Sequence, residues 1–236
     1  MNLIQNFLVN NDCYKANAKL EPSFIVVHDT GADNPYISRY VQPDVHGIGK
    51  NKYNNDWNKP GISKCVHAFV GKLSDGTIAT CQTLPWAMRG WHAGRGRISS
   101  MNNYAIGFEI CRDINDAEYF SKVYNEAIDL CVYLCGIHLI PVDHIICHHE
   151  AYEMGYASNH ADVTEWFPLY GKTMDDFRKE VQYRMGIKIN EPDDYAKEAW
   201  EWGISNGLTT GERPKDTVLR QDVMLMLYKF KELEGK

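Results

Sequence analysis

Three segments of the chain carry the residue types from which a hydrolytic metal site is built: Val27-His28-Asp29-Thr30-Gly31, Cys147-His148-His149-Glu150 and Ser158-Asn159-His160-Ala161-Asp162-Val163. A catalytic zinc ion takes three protein ligands from His, Asp, Glu or Cys and keeps one position open for water. Two of the segments place a histidine at the end of an apolar run, the pattern of a rigid strand that delivers its last side chain to a rim, and a loop can supply a third ligand. Among nine histidines, spacing by itself selects no single triple. His148 and His149 compete for one position, because strand alternation turns adjacent side chains to opposite faces. One carboxylate stands out in an apolar setting, Glu109 in the run Tyr104 to Cys111. It reads either as an acid–base group beside the site or as a structural acid paired with an arginine such as Arg112.

The elements that must hold these groups are legible as short patterns. Ser23-Phe24-Ile25-Val26-Val27-His28 is an apolar, β-branched run and reads as a buried strand. Cys65 to Val70 and Thr77 to Cys81 flank Ser74-Asp75-Gly76, whose Asp-Gly pair favours a hairpin turn. Tyr104 to Cys111 reads as a further strand. Tyr119 to Cys135 is an amphipathic helix with Val123, Ala127, Leu130, Cys131 and Leu134 at helical spacing. After Pro141, Ile145-Ile146-Cys147 is a short strand ending in His148, and Met174 to Met185 is a terminal helix. The polar stretch from Asp33 to Pro60 reads as a loop bordering the site, with a short helix near Pro35 to Val41 and little core character afterwards.

At 236 residues the chain has room for one ordinary domain and a small appended module. Its composition, 44% hydrophobic and 24% charged, is that of a folded globular protein. The net charge of −6 argues against nucleic acid, which needs clustered Lys and Arg. The seven cysteines are scattered and odd in number, which fits buried thiols in a reducing compartment, and Cys131 and Cys135 read as packing residues. No run approaches the roughly 18 to 20 apolar residues of a membrane span, and Met1 to Asp12 lacks a basic n-region and a sustained apolar h-region. The expectation is a chain made in the cytoplasm without a Sec-type signal and not inserted in a membrane. His46, His138 and His144 are read as non-functional.

In order along the chain stand Val26-Val27-His28-Asp29-Thr30-Gly31, Cys65-Val66-His67-Ala68-Phe69-Val70, Gly90-Trp91-His92-Ala93-Gly94, Ala105-Ile106-Gly107-Phe108-Glu109-Ile110, then His148 and Asn159-His160-Ala161-Asp162. This ordered set, within a similarity running from about Asn2 to Met185, resembles the type 2 N-acetylmuramoyl-L-alanine amidases, a family that includes phage endolysins and animal peptidoglycan recognition proteins. The resemblance implies an α/β fold, a central mixed β-sheet flanked by helices. It implies Zn2+ held by His28, His148 and Asp162, with His148 preferred over His149 because it aligns with the family motif. Zinc would polarise the lactyl amide carbonyl and lower the pKa of bound water toward about 7, with Glu109 taking the water's proton. His160 stands where the family often has a lysine and would stabilise the oxyanion. The resemblance places His67 and His92 near the cleft, where they are substrate contacts or packed histidines, with Arg89 and Trp91 as further substrate contacts. Asp29 and Thr30 would orient the first ligand. The implied substrate is peptidoglycan, cut between muramic acid and L-alanine to free the stem peptide, by an endolysin or autolysin that reaches the wall after release, for instance through a phage holin. The rival readings are a recognition protein that binds without cutting, whose members typically lack a complete ligand triad, and a zinc peptidase of the peptide stem.

A catalytic domain over 1–187, a linker at 188–192 containing Pro192 and a helical module over 193–236 are expected. Tyr195 to Ile204, Gly207-Leu208 and Leu219 to Phe230 resemble one surface-layer-homology-like repeat, with Leu219-Arg220 where Thr-Arg is usual. Trp200, Trp202, Val223, Met226, Leu227 and Phe230 give this small helical pair more apolar surface than about 40 residues bury alone. The partner is wall polymer, the catalytic domain, or a second copy in a homodimer.

Overall fold

The short β-branched runs pair into one sheet. In the computed structural model, which describes residues 1–186, 196–209 and 220–234, the strands are β1 (Leu3–Gln5), β2 (Phe24–Asp29), β3 (Ala68–Lys72), β4 (Ile78–Gln82), β5 (Ala105–Ile110) and β6 (Ile145–Cys147). Their order across the sheet is β1-β4-β3-β5-β2-β6. β3 and β4 form the expected antiparallel hairpin, with Gly76 at φ +87° in its turn. The other pairings are parallel, so the sheet is mixed. The helices are α1 (Asp12–Ala16), α2 (Ala117–His138), α3 (His148–Glu153), α4 (Val163–Trp166) and α5 (Met174–Arg184), followed by α6 (Lys197–Ser205) and α7 (Arg220–Glu234).

Period-two alternation sorts the two faces of the sheet. Ile25 and Val27 of β2, Ala68 and Val70 of β3, and Ile106, Phe108 and Ile110 of β5 join one fully buried core with the apolar stripe of α2 and with Phe177 and Val181 of α5. Their neighbours face the other way: Val26 and Ala105 lie in a separate small cluster with Met101 and Ile146. The helical stripe is the one its spacing predicts, including Val123, Ala127, Leu130, Cys131 and Leu134. Asp116 caps α2 by accepting from Tyr119 N at 2.8 Å, and Leu139 at φ +56° ends it.

Two local expectations are corrected. β6 ends at Cys147 and His148 opens α3. The helix starts there because the Glu150 carboxylate accepts from Cys147 N at 2.8 Å and is itself gripped by Arg178 of α5 at 3.0 Å. The stretch from Asp33 to Pro60 is not a coreless loop. Ile37, Val41 and Ile48 are fully buried and, with Tyr40, build the core beneath Phe69 on the second face. Ile37, Tyr40 and Val41 follow the spacing of the short helix expected there, a helical turn over Ile37–Arg39, whereas Ile48 stands alone between Gly47 and Gly49 with no period to reveal it.

The chain divides into two compact units, Met1–Met185 and Gly186–Lys236. In the second, α6 and α7 meet through Trp202 and Phe230, whose rings are 5.7 Å apart, while Trp202, Val223, Met226 and Leu227 stay exposed. The connector expected at 188–192, and Tyr195 and Leu219 of the repeat outline, lie outside the described residues. Among those described, no helix is long and apolar enough to cross a membrane.

The α2 stripe yields a stability test. Leu130→Ala, at a fully buried position, is expected to cost about 2–5 kcal/mol in urea unfolding, whereas Ile137→Ala, 48% exposed on the same helix, should cost under about 0.5 kcal/mol.

Candidate active site

Alternation puts His28 on the face of β2 shared with Val26, and Glu109 on the face of β5 shared with Gly107 and Ala105. The parallel register sets His28 directly beside Glu109, away from α2. Two more groups arrive from beyond the sheet, His148 from the first turn of α3 and Asp162 from the residue before α4. His28 Nδ1 lies 2.7 Å from Asp162 Oδ2 and 3.1 Å from His148 Nδ1. The third side of the triangle, His148 Nδ1 to Asp162 Oδ2, is 3.2 Å. Asp162 has φ +47° and ψ −129°, a conformation that costs a side-chain-bearing residue on the order of 1–3 kcal/mol and concentrates at functional sites.

This donor set suits a divalent cation. Nitrogen and oxygen ligands of tetrahedral zinc, at about 2.0–2.1 Å from the metal, stand roughly 3.3 Å from one another, close to the spacing found. His28 and His148 are almost wholly buried, and two imidazole nitrogens facing each other and a carboxylate need a positive charge among them. Burial depresses the His28 ring pKa, against the opposing pull of Asp162. Burial would raise the Asp162 carboxyl, but hydrogen bonds from His148 and His28 hold it well below the usual carboxylate range. Glu109 goes the other way: burial, reinforced by Asp162 and Asp29, pushes it well above its ordinary value, with Lys64 opposing. Its Oε2 has no hydrogen-bond partner.

Above the triangle opens a cleft of about 400 Å³ whose walls include Trp57, Lys64, Trp91, His92, Glu109, Ser158 and His160. The His160 ring stands 4.8 Å from that of His148, exposed at the mouth. His149 turns out toward Glu153, 3.5 Å from its carboxylate. The two adjacent histidines are thus separated by the turn of a helix, not by strand alternation. Glu109 is not the partner of Arg112, which binds Gly31 O at 2.6 Å and lies 3.3 Å from Asp33 and 3.5 Å from Asp29.

The other expected contacts are placed as follows. His67 is fully buried; its Nε2 donates to Met88 O at 2.8 Å and its Nδ1 accepts from Gly107 N at 3.1 Å. Both ring nitrogens are spent on backbone, the placement of a packed core histidine, the second of the two expected readings. Arg89 lies outside the cleft, its guanidinium 5.8 Å from the Trp91 ring in a neighbouring depression lined by Cys13, Ser63 and Gly90. Trp91 borders both spaces. Asp29 and Thr30 make no bond to the His28 ring: Asp29 accepts from Gly31 N at 2.8 Å and Thr30 donates to Ala32 O at 3.2 Å, so they shape the loop after β2. His92 lines the cleft as expected and also meets His28, Nδ1 to Nε2 at 3.0 Å.

Trp57, Lys64 and Ser158 escape sequence reasoning because each sits alone in a loop. Gly107 offers a signal: a glycine inside an apolar strand marks a close approach, and a Cβ there would fall 2.4 Å from the His92 ring.

A mixed sheet thus carries, in one cleft, a His-His-Asp grouping that could hold a metal ion and a glutamate whose Oε2 is unpartnered. The Amidase_2 family profile, described as N-acetylmuramoyl-L-alanine amidase, matches residues 18–165, and the chain belongs to that family. Comparison with curated protein sequences found no match. Solved structures share the fold. A point mutant of PlyL matches at 20% identity with a TM-score of 0.55, covering 77% of this chain and 99% of that one. The catalytic domain of XlyA matches at 24% and 0.54 over the same shares, as does a mutant endolysin from Bacillus subtilis at 22% and 0.54.

The role of His67 is open to a pH test. Burial pushes its ring pKa down to about 4, below the value of about 6.5 in an unfolded chain. The unfolded state therefore binds the extra proton first, and the stabilisation is complete above about pH 6.5 and lost as pH falls toward 4. Urea titrations across this window should show His67→Asn less acid-sensitive than wild type by up to about 3 kcal/mol. An identical pH slope in the two proteins contradicts the core assignment.

Proposed function

We propose that this chain hydrolyses the amide between the lactyl group of N-acetylmuramic acid and L-alanine in peptidoglycan, with zinc held by His28, His148 and Asp162. Family membership gives the enzyme class, and the observation that supports the rest is the triangle of 2.7, 3.1 and 3.2 Å with Glu109 in register beside it. When bound, zinc supplies a Lewis acid for the amide carbonyl and lowers the pKa of water toward about 7.

The chain's own residues do the remaining work. Water oxygen adds to the lactyl carbonyl carbon while Glu109, whose Oε2 is unpartnered, takes the water's proton. The C–N bond then breaks and Glu109 returns that proton to the departing alanine nitrogen. A carboxyl held above its ordinary pKa suits a group that must first accept and then release. His160 at the mouth donates to the oxygen on which negative charge builds. Trp57 and Trp91 offer flat apolar walls to the sugar and peptide on either side. The complete ligand triad favours cutting over recognition alone. The likeness to an endolysin supports a lytic enzyme acting on the bacterial wall after release.

Digestion of purified walls tests this reading. Chelation is expected to abolish turbidity loss, added zinc to restore it, and the products to carry new L-alanine amino termini. Glu109→Gln should lose about 10²–10⁴-fold in kcat with its zinc content intact, while Asp162→Asn should lose zinc. Undiminished turbidity with zinc-loaded wild type, or new ends elsewhere in the stem, overturns the assignment.

A further inference from the structure

Both histidines of the triangle turn the same nitrogen, Nδ1, toward the shared point. A ligating imidazole nitrogen must carry a lone pair, so each ring must keep its proton on Nε2, and what Nε2 meets decides whether it does. His28 Nε2 lies 3.0 Å from His92 Nδ1. On the far side of that ring, His92 Nε2 faces the carbonyl oxygen of Ala105 at 3.4 Å. A carbonyl only accepts, so His92 holds its proton on Nε2 and offers a lone pair from Nδ1. His28 then donates from Nε2, which leaves its own lone pair on Nδ1. The same logic, over longer contacts, runs from His148 Nε2 to Ser158 Oγ at 3.5 Å and from that hydroxyl to Ala93 O at 3.5 Å.

The partner rings and backbone are held in turn. The His92 ring rests on the bare backbone of Gly107. Asn102, fully buried, accepts from His92 N at 2.7 Å and Ala93 N at 2.9 Å and donates to Gly94 O at 3.0 Å. One clamp therefore fixes the segment on which both relays depend.

We propose that His92 is a positioning residue of the metal site, setting the tautomer and ring orientation of His28 through a hydrogen bond at Nε2, with Ser158 as its counterpart on His148. The inference rests on the reading of His28 and His148 as ligands, and it gives His92 a task that is neither ligation nor substrate contact.

The test compares His92→Asn, whose side-chain oxygen stands near the place of Nδ1 as an acceptor, with His92→Leu, which has no acceptor, and with Ser158→Ala. Zinc affinity is measured by chelator competition, the ring nitrogens of zinc-loaded protein by NMR, and folding by circular dichroism. In wild type the His28 Nε2 proton should be seen, protected from exchange. His92→Leu should lose that protection and about 10–100-fold in zinc affinity, His92→Asn should recover most of it, and Ser158→Ala should lose several-fold. A folded His92→Leu with wild-type affinity, or His28 ligating through Nε2, overturns this inference alone. If His92→Leu fails to fold, a failure of His92→Asn to exceed a glycine substitution at that position in zinc affinity, or wild-type affinity in Ser158→Ala, overturns it. A wild type that takes up no zinc overturns the zinc reading and this inference with it.

Discussion

The parallel pairing of β2 with β5 in one register is the constraint on which the site depends. Slipping one strand by a single residue exchanges its two faces. His28 or Glu109 would then be driven into the core under α2, and Val27 or Phe108 would replace it in the cleft. What forbids the slip is apolar burial far from the chemistry: Ile25 and Val27 beside Ile106, Phe108 and Ile110, all fully buried in the same core as α2. Each such side chain contributes about 1.5–3 kcal/mol when fully buried, so the register is held by several groups at once. The polar pair comes into place as a consequence.

The same periodicity makes part of the site legible in the sequence. His28 and Glu109 stand out because each is a polar residue at a face position of an apolar strand, and α2 is legible because its stripe recurs at helical spacing. His148 is presented inward by a helix start whose determinant, Glu150 held by Arg178, is tertiary; strand alternation is not what separates it from His149. Asp162 obeys no period at all, since a residue at φ +47° belongs to neither repeat, and only the family resemblance points to it. His67-Ala68 and His92-Ala93 look alike in sequence. One ring nevertheless lies in the core between Met88 and Gly107 and the other against His28, a distinction made by which backbone each ring meets. Trp57 and Ser158 act through contacts with segments distant in sequence, and Asn102 by closing a loop on residues 92–94, none of which a helical or strand period records.

Five imidazoles form a row from core to mouth: His67 to His92 at 6.0 Å, then His28 at 5.1 Å, His148 at 4.9 Å and His160 at 4.8 Å between ring centroids. Burial depresses the rings of His67, His92 and His28, because a charged ring loses its hydration there and neighbouring rings cannot replace it. For these three buried rings the organising variable is the placement of one proton per ring. Backbone carbonyls at Met88 and Ala105 dictate that placement, since they only accept. In the zinc-loaded state proposed above, both ligand protons point outward and the two Nδ1 atoms and Asp162 Oδ2 face the metal position. Metal held at such a site would couple occupancy to stability. The α2 core fixes the β2–β5 register, and with it the place of His28 in the triangle.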